Sequence, residues 1–469
     1  MKCVILGAGL SGLSCGIGLI EAGHDVMILE KESTVGGLCR SFRRDGFTFD
    51  YGPHFVFGRE ARDLLQDRLT PSLSIPAISR TGERIVTHDR LFQFPFDPRS
   101  ILRHMGKGYL LLALMDLVIT RTLRDRESPV DLREWIVGGV GKTIYEYIDL
   151  PGYVQKLYGL PPNRISAEWG RQKLKFLAAW RDRSLFLLSL QALNETKRLR
   201  RKVVSYPRRG IEAIPVALAE RFLEMGGEIK TSAAAVSVEE QGDRAEVRIS
   251  GGQAFACDLL FSSIPLPTLV RLLPEGHGKR LGFLSEDLRQ RKTIFFMLYF
   301  DTPKVMDHGC LYFTQPHVSF RRVTEFKHLS PSMAPPDKTS LCVEVTADDD
   351  EEPDVSRERI EVFLDELDQT GHCDVRDYTR HDVKIIPNTY PVYRREYSEA
   401  LTGVLTHLSS LRRVLSFGRQ GLFFYNTMSN SVIDGHRLGR GCPDAASFST
   451  LRDAFYRERM GLIQSPQLR

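Results

Sequence analysis

The sequence predicts an α/β protein with a helical insertion and a mixed-sheet block, and three observations carry that prediction. Residues 2–31 read strand, glycine turn, helix, strand. Residues 203–275 return to the same alternation after a long helical stretch, and residues 411–440 add a further strand, loop and helix start. At 469 residues the chain exceeds one simple core and suits two or three domains. The α/β segments at the start, middle and end are expected to fold together, with the other blocks inserted between them.

Lys2-Cys-Val-Ile-Leu6 is a short β-rich run, residues 11–23 carry helical spacing, and Asp25-Val-Met-Ile-Leu29 is the second strand. Residues 33–60, rich in glycine and arginine, are expected to be irregular. From about 98 to 200 the pattern is helical and basic. A helix over residues 213–225 precedes strands near 228–238 and 245–249, and a strand over 258–263 stops at Ile264-Pro265. Residues 293–300 and 340–345 are strand-like, and the acidic run at 348–352 reads as a solvated loop opening a helix through 360–367. The apolar run 109–120, flanked by Lys107 and Arg121, is shorter than a bilayer span. A buried helix is expected there, with membrane-surface contact the less favoured alternative.

With 64 basic and 59 acidic side chains, the net charge of +5 gives no case for a nucleic-acid partner. It is compatible with a basic pocket for an anionic cofactor and substrate. The eight cysteines include no C-x-x-C pair, so neither a zinc site nor a redox dithiol is expected, and no metal site is assigned. Cys3 and Cys15, in the first strand and first helix, read as buried reduced thiols. No signal peptide is expected ahead of a strand that begins at residue 2, and the expected location is a reducing cytoplasm.

Gly7-Ala-Gly9-Leu10-Ser11-Gly12 falls between the first strand and the first helix, where a dinucleotide fingerprint requires it. Gly7 permits the tight turn, Gly9 the backbone's approach to a pyrophosphate, and Gly12 close packing of helix on strand. The helix start then offers free N–H groups to phosphates. Glu30 ends the second strand 18 residues after Gly12, placed to accept from ribose hydroxyls. NAD and FAD share this pattern, so the choice rests on the continuation Glu30-Lys31-Glu-Ser-Thr-Val-Gly-Gly37-Leu38-Cys-Arg40. Its glycine pair leaves room for a long dinucleotide, and Arg40 can meet phosphates or a flavin edge. The stretch resembles the FAD-binding opening of the amine oxidase, protoporphyrinogen oxidase and phytoene desaturase superfamily. The resemblance implies FAD held by Gly7, Gly9, Leu10, Ser11, Gly12, Glu30, Lys31, Gly37, Leu38 and Arg40. Tyr206-Pro-Arg-Arg-Gly210-Ile-Glu-Ala-Ile-Pro215 looks like the superfamily segment that re-enters the FAD domain, with the strand at Val236 passing the adenine end. The implied fold is a Rossmann-type FAD-binding domain in three parts (1–97, 201–275, 405–469), a helical substrate-side domain (98–200) and a mixed-sheet substrate domain (276–404).

Two further stretches resemble UDP-galactopyranose mutases. Gly46-Phe-Thr-Phe-Asp50-Tyr-Gly52-Pro-His54-Phe-Val-Phe57 is similar to their D-x-G-x-H-x-x-F segment, whose histidine lies beside the flavin ring. Gly418-Arg419-Gln-Gly421-Leu-Phe-Phe-Tyr425-Asn-Thr-Met428 is similar to their G-R-x-G-x-x-x-Y signature, although Thr427 stands where bacterial mutases carry an acidic residue. Tyr390-Pro391 resembles the same family's Tyr-Pro segment, and 131–159 its helical substrate side. The implied site is His54 at the flavin, which it also helps to bind, Gly418 and Arg419 at flavin or phosphate, and Tyr425 and Tyr390 on a pyrophosphate. Each has a plainer alternative: His54 as a turn cap, Arg419 on FAD alone, Tyr425 in the core. The implied function is flavin N5 chemistry on a nucleotide sugar, with NAD(P)H a candidate electron donor. The alternative is an oxidoreductase of the amine oxidase, protoporphyrinogen oxidase or desaturase type that removes hydride from its substrate. A flavin-binding structural protein is a third reading. Oligomeric state is left open.

Overall fold

The computed structural model of the protein describes residues 1–79, 82–94, 101, 104–122, 129–174 and 203–464. Five parallel strands form its first sheet. β1 (Lys2–Leu6) is central, with β2 (Asp25–Leu29) and then Glu228–Lys230 on one side, and Leu259–Ser262 and then Val414–Ser416 on the other. The central strands are apolar on both faces because both are covered: Cys3, Ile5 and Ile28 share a core with the first helix, and Val4, Leu6, Leu29 and Leu260 share one with Val238, Ala245 and Val247. Segments from the start, middle and end of the chain therefore share one sheet, as the sequence predicts.

Helix α1 (Leu10–Glu21) lies on this sheet between the helices Ala213–Glu224 and Met428–Arg440. Contact with the latter is backbone to backbone. A Cβ on Gly439 would stand 2.2 Å from the Cys15 carbonyl oxygen, one on Gly435 2.5 Å from that of Ser11, and one on Gly18 2.6 Å from that of His436. On the other flank, a Cβ on Gly16 would meet the Phe222 ring at 2.7 Å. Cys3 and Cys15 are fully buried in this core, as expected of reduced thiols.

Where irregular chain is expected over 33–60, a hairpin of Ser41–Arg44 and Phe47–Asp50 forms. Its turn is Asp45-Gly46, both at positive φ (50° and 82°), the geometry that a two-residue hairpin needs. Asp50 ends the hairpin fully buried and accepts from the Ser41 hydroxyl, the Tyr206 hydroxyl and the Ile211 backbone N–H. That cluster ties the re-entry segment to the first domain. Burial nevertheless pushes the Asp50 carboxyl up to about 6 against these donors. The expected strand near 228–238 divides at Ser232 (φ 53°). Its first part joins the parallel sheet, and Ala235–Gln241 pairs with Arg244–Ile249 and Ala254–Cys257 in a three-stranded antiparallel sheet.

A seven-stranded mixed sheet forms the second layer. Gln290–Phe300 runs antiparallel between Tyr378–Pro391 and Thr339–Asp348, and the sheet continues through Arg322–Thr324 and Cys310–Phe313 to Glu83–Thr87 and Arg90–Gln93. The helical block follows as Lys107–Thr122, Leu132–Val140, Lys142–Tyr147, Leu150–Tyr158 and Ala167–Lys173. Its expected continuation through 175–200 lies outside the described residues. One expectation fails here. The helix Lys107–Thr122 is not buried: it presents most of its large apolar side chains to solvent, and only Ala113 is fully covered. A helix can be apolar enough for a core and still lack a partner for its second face.

Because Gly439 meets backbone rather than a flexible side chain, Gly439→Ala should separate the two helices. A loss of about 1–3 kcal/mol is expected, read as a lower urea midpoint for the full chain.

Candidate functional site

The site is built on the start of α1. Gly7 turns at φ +96° and donates its N–H to the Leu29 carbonyl at 2.8 Å. Gly12 must approach this turn, since a Cβ there would sit 2.0 Å from the Gly7 carbonyl oxygen. Gly9 caps the helix with no side chain bonded to its first N–H groups. No atom lies within 4 Å of a Cβ built on Gly9, so this position faces open space where a ligand's phosphates could approach. Gly36 arches over it at φ +116°, donating to the Ala8 carbonyl, and Gly37 follows at φ +56°. Glu30 is buried beneath and accepts from the backbone N–H groups of Ala8 at 2.8 Å and Glu32 at 3.0 Å. Each of its oxygens keeps a second lone-pair direction for a hydroxyl. Arg40 donates to the Gly37 carbonyl and pairs with Glu32 at 3.2 Å.

From this cradle a cleft of about 440 Å³ runs toward the mixed sheet, a volume within the range of small-molecule sites. Gly7, Gly9, Leu10, Ser11, Glu30, Lys31, Gly37, Leu38, Arg40, His54, Tyr390, Arg419 and Tyr425 all line it. Two expected residues act from behind the wall. Gly12 allows the turn to pack, and Gly418 (φ +76°) lets the C-terminal loop lie on Ser11, whose Oγ would be 2.7 Å from a Cβ. Val236 is different: it points to solvent, 53% exposed, and Ala233, Ala234 and Ala235 line that end instead.

The far end of the cleft is cationic. Buried Glu344 takes bonds from two guanidinium groups, Arg321 at 2.7 Å and Arg322 twice at 2.6 Å. One carboxylate against two cations leaves net positive charge in a dry setting, where it acts most strongly. Arg419 adds to it. Its Nη atoms donate to the Asn426 and Thr389 carbonyls at 2.6 and 2.8 Å, and its buried Nε has no partner. Its guanidinium lies 4.3 Å from the Tyr425 ring centroid, and the Lys173 ammonium covers the same ring at 3.4 Å.

These charges set the acidities. Burial by itself would raise the Tyr390 phenol, but Arg321 and Arg322 outweigh it and hold the group below the usual tyrosine value. Arg321 also donates to the Tyr390 hydroxyl at 3.2 Å. Tyr425, edge-on to Tyr390 with centroids 5.4 Å apart, is pushed up by burial and by Tyr390 itself. Burial, reinforced by Arg322 and Arg419, lowers His54 to about 4. His54 is therefore neutral near pH 7. Its Nε2 contacts the Tyr51 carbonyl at 3.0 Å and must carry the proton, which leaves Nδ1 as an acceptor. His54 thus closes a local turn while its ring also lines the cleft.

Sequence reasoning missed Arg321, Arg322, Glu344 and Lys173. One signal was present: a carboxylate inside the apolar strand Leu341-Cys-Val-Glu344-Val requires a buried cation. Arg459 was missed as well. Almost fully buried in the helix Ala445–Gln464, it bonds Glu168 at 2.6 Å and the Leu422 and Phe423 carbonyls at 3.1 Å. It thereby joins the helix that carries Lys173 to the loop that carries Tyr425.

A parallel sheet whose glycine turn opens into a cleft walled by a second, mixed sheet is the architecture of a dinucleotide-binding protein. Residues 10–424 match the model of the flavin-containing amine oxidoreductases, and the chain belongs to that family and is a flavoenzyme. A reduced UDP-galactopyranose mutase has the same fold, with a TM-score of 0.79 at 21% identity over 99% of this chain and 96% of that one. The 4,4'-diapophytoene desaturase of Staphylococcus aureus (strain COL) is 45% identical over 56 residues, only 12% of this chain and 11% of that protein. An uncharacterised protein of the nifH2 3' region in Methanothermococcus thermolithotrophicus is 39% identical over 95 residues, 20% of this chain and 92% of its own length.

Gly9→Val should fold normally, as its side chain meets no protein atom, yet yield colourless protein. Circular dichroism and flavin absorbance of the purified variant check both halves. His54 gives a pH test. Its value falls from 6.5 when unfolded to about 4 when folded, so its contribution is complete above pH 6.5 and is lost as pH drops toward 4. His54→Asn should flatten the fall of melting temperature across that window, measured from pH 7 to pH 4.

Proposed function

We propose that the protein binds FAD non-covalently and acts on a nucleotide sugar in the manner of UDP-galactopyranose mutases. The observation that carries this reading is the surplus of positive charge around Tyr390, Tyr425 and Arg419. A cationic amine would be repelled there, and an extended hydrocarbon would leave the surplus charge uncompensated. A pyrophosphate satisfies both the charge and the phenolic donors.

The cradle fits the cofactor. The N–H groups of Gly9, Leu10 and Ser11 would hold its pyrophosphate, with Lys31, Gly37, Leu38 and Arg40 around it and Glu30 on the ribose. The adenine end would lie by Ala233–Ala235 and the backbone that leads to Val236. His54 would offer Nδ1 at the flavin end, while Arg419 bridges flavin and substrate. When reduced, FAD supplies a nucleophilic N5 for the anomeric carbon. NAD(P)H is the proposed source of electrons. Tyr390, acidified by two arginines, is a strong hydrogen-bond donor to a departing phosphate, and Tyr425 donates beside it. Lys173 stabilises the charge that develops as the nucleotide leaves.

A second reading, hydride removal from substrate by oxidised flavin, is favoured by the local 45% identity to the desaturase. The anaerobic flavin spectrum separates the two. Bleaching by an amine, porphyrinogen or polyene substrate supports oxidation. An unchanged spectrum with nucleotide sugars, together with bleaching by NAD(P)H, supports the mutase.

A lost charge-assisted contact costs about 1.5–3 kcal/mol and a neutral one about 1. Arg419→Ala should therefore weaken nucleotide-sugar binding roughly 10- to 150-fold, and Tyr425→Phe about five-fold, with flavin content unchanged in Tyr425→Phe. Displacement of a fluorescent nucleotide from reduced enzyme measures both. If neither nucleotide nor nucleotide sugar binds the wild type at millimolar concentration, the oxidoreductase reading replaces this one.

A further inference from the structure

The helix Lys107–Thr122 divides into two faces. Ala113, Asp116 and Leu117 turn toward the helical block, where Asp116 accepts the Thr143 N–H at 2.6 Å beside Gly141. The other face carries Tyr109, Leu111, Leu112, Leu114, Met115, Val118 and Ile119, each between 48% and 61% exposed. Seven such side chains on a helix about 24 Å long make a contiguous apolar strip, the kind of exposed surface that marks an interaction site. No helix among the described residues is long and apolar enough to cross a bilayer. This strip is suited to lying on one.

The charges bordering it indicate the occupant. Residues 104–115 contain His104 and Lys107 and no carboxylate. Lys107 is exposed at the start of the strip. Beside it, Arg90 is exposed and donates to the His104 carbonyl and the Tyr147 hydroxyl, and Tyr147 packs on Tyr109 with ring centroids 5.8 Å apart. Apolar side chains with aromatic and basic groups at one end are the composition of a helix that rests among lipid headgroups. A second copy of the chain fits less well. A two-fold interface sets the same face against itself, so Lys107 would face another Lys107 or Arg121, and the helix's one carboxylate is turned inward. The strip also supplies seven side chains, against about 20–30 residues a side in a standard protein interface.

We propose that this helix docks the protein on the surface of an anionic lipid bilayer, with the apolar strip among the acyl chains and Lys107 and Arg90 at the headgroups. The proposal is independent of the substrate. Flotation of the full-length protein with vesicles tests it, using phosphatidylcholine alone and phosphatidylcholine mixed with phosphatidylglycerol. The wild type should float with the mixed vesicles and less with the neutral ones, and added salt should narrow the difference. Leu114→Asp combined with Met115→Asp should reduce partitioning at least ten-fold on both, with circular dichroism and bound flavin unchanged. Lys107→Ala should cost roughly five-fold on the anionic vesicles and little on the neutral ones. Absence of flotation in the wild type overturns the proposal, as does equal flotation of the double variant. A dimer in sedimentation that the double variant dissociates, with no vesicle binding, would assign the face to a second copy instead.

Discussion

Helix α1 meets the helix Met428–Arg440 through Gly18, Gly435 and Gly439 at distances that exclude any Cβ, and the cleft depends on that contact. It brings the last third of the chain against the glycine turn of the first ten residues. The same approach seats Gly418 on Ser11, and Arg419 and Tyr425 line the same cleft as Gly9. Close packing of small residues is usually discussed as a source of stability. Here it also sets the distance between the phosphate cradle and the cationic end of the site.

The second layer supplies chemistry that the parallel sheet lacks. A strand of the mixed sheet delivers Arg322, with Arg321 just before it, the paired strand delivers Glu344, and the end of a third delivers Tyr390. Strand pairing fixes where these groups stand to within a residue, since a slip by one would turn each side chain to the opposite face. Rigid placement has an energetic consequence. Two buried guanidinium groups on one carboxylate leave a surplus of positive charge that is costly to bury, and the Tyr390 and Tyr312 hydroxyls each accept one further bond from the pair.

Much of the cradle was legible in the sequence because its constraints are local. Gly7, Gly9, Gly12 and Glu30 fall at fixed offsets along one βαβ unit, and the structure places them as that unit requires. His54, Arg419 and Tyr425 were legible through motifs a few residues long. Arg321, Arg322, Glu344, Lys173 and Arg459 were not, because their partners lie tens to hundreds of residues away and no spacing rule connects them. The hairpin of 41–50 was missed although Asp45-Gly46 announces its turn; the surrounding glycines and arginines masked a short alternation. The exposure of helix Lys107–Thr122 was missed for another reason. Hydrophobicity states what a surface prefers to touch, and says nothing of whether the fold provides it.

Arg459 ties the loop of Tyr425 to the helix of Lys173 from a position near the far end of the chain. Synthesis runs from the N-terminal side, so the strand Lys2–Leu6 and the helix Leu10–Glu21 emerge long before this strut can be made. A nascent chain can thus gather its parallel sheet only after the strand Val414–Ser416 has emerged, and can brace the reacting end only once residue 459 is free of the ribosome. Until then, the guanidinium pair on Glu344 faces a wall with one side unbraced. Order of manufacture thus sets the bracing of Tyr425 and Lys173 after the emergence of every strand of the parallel sheet.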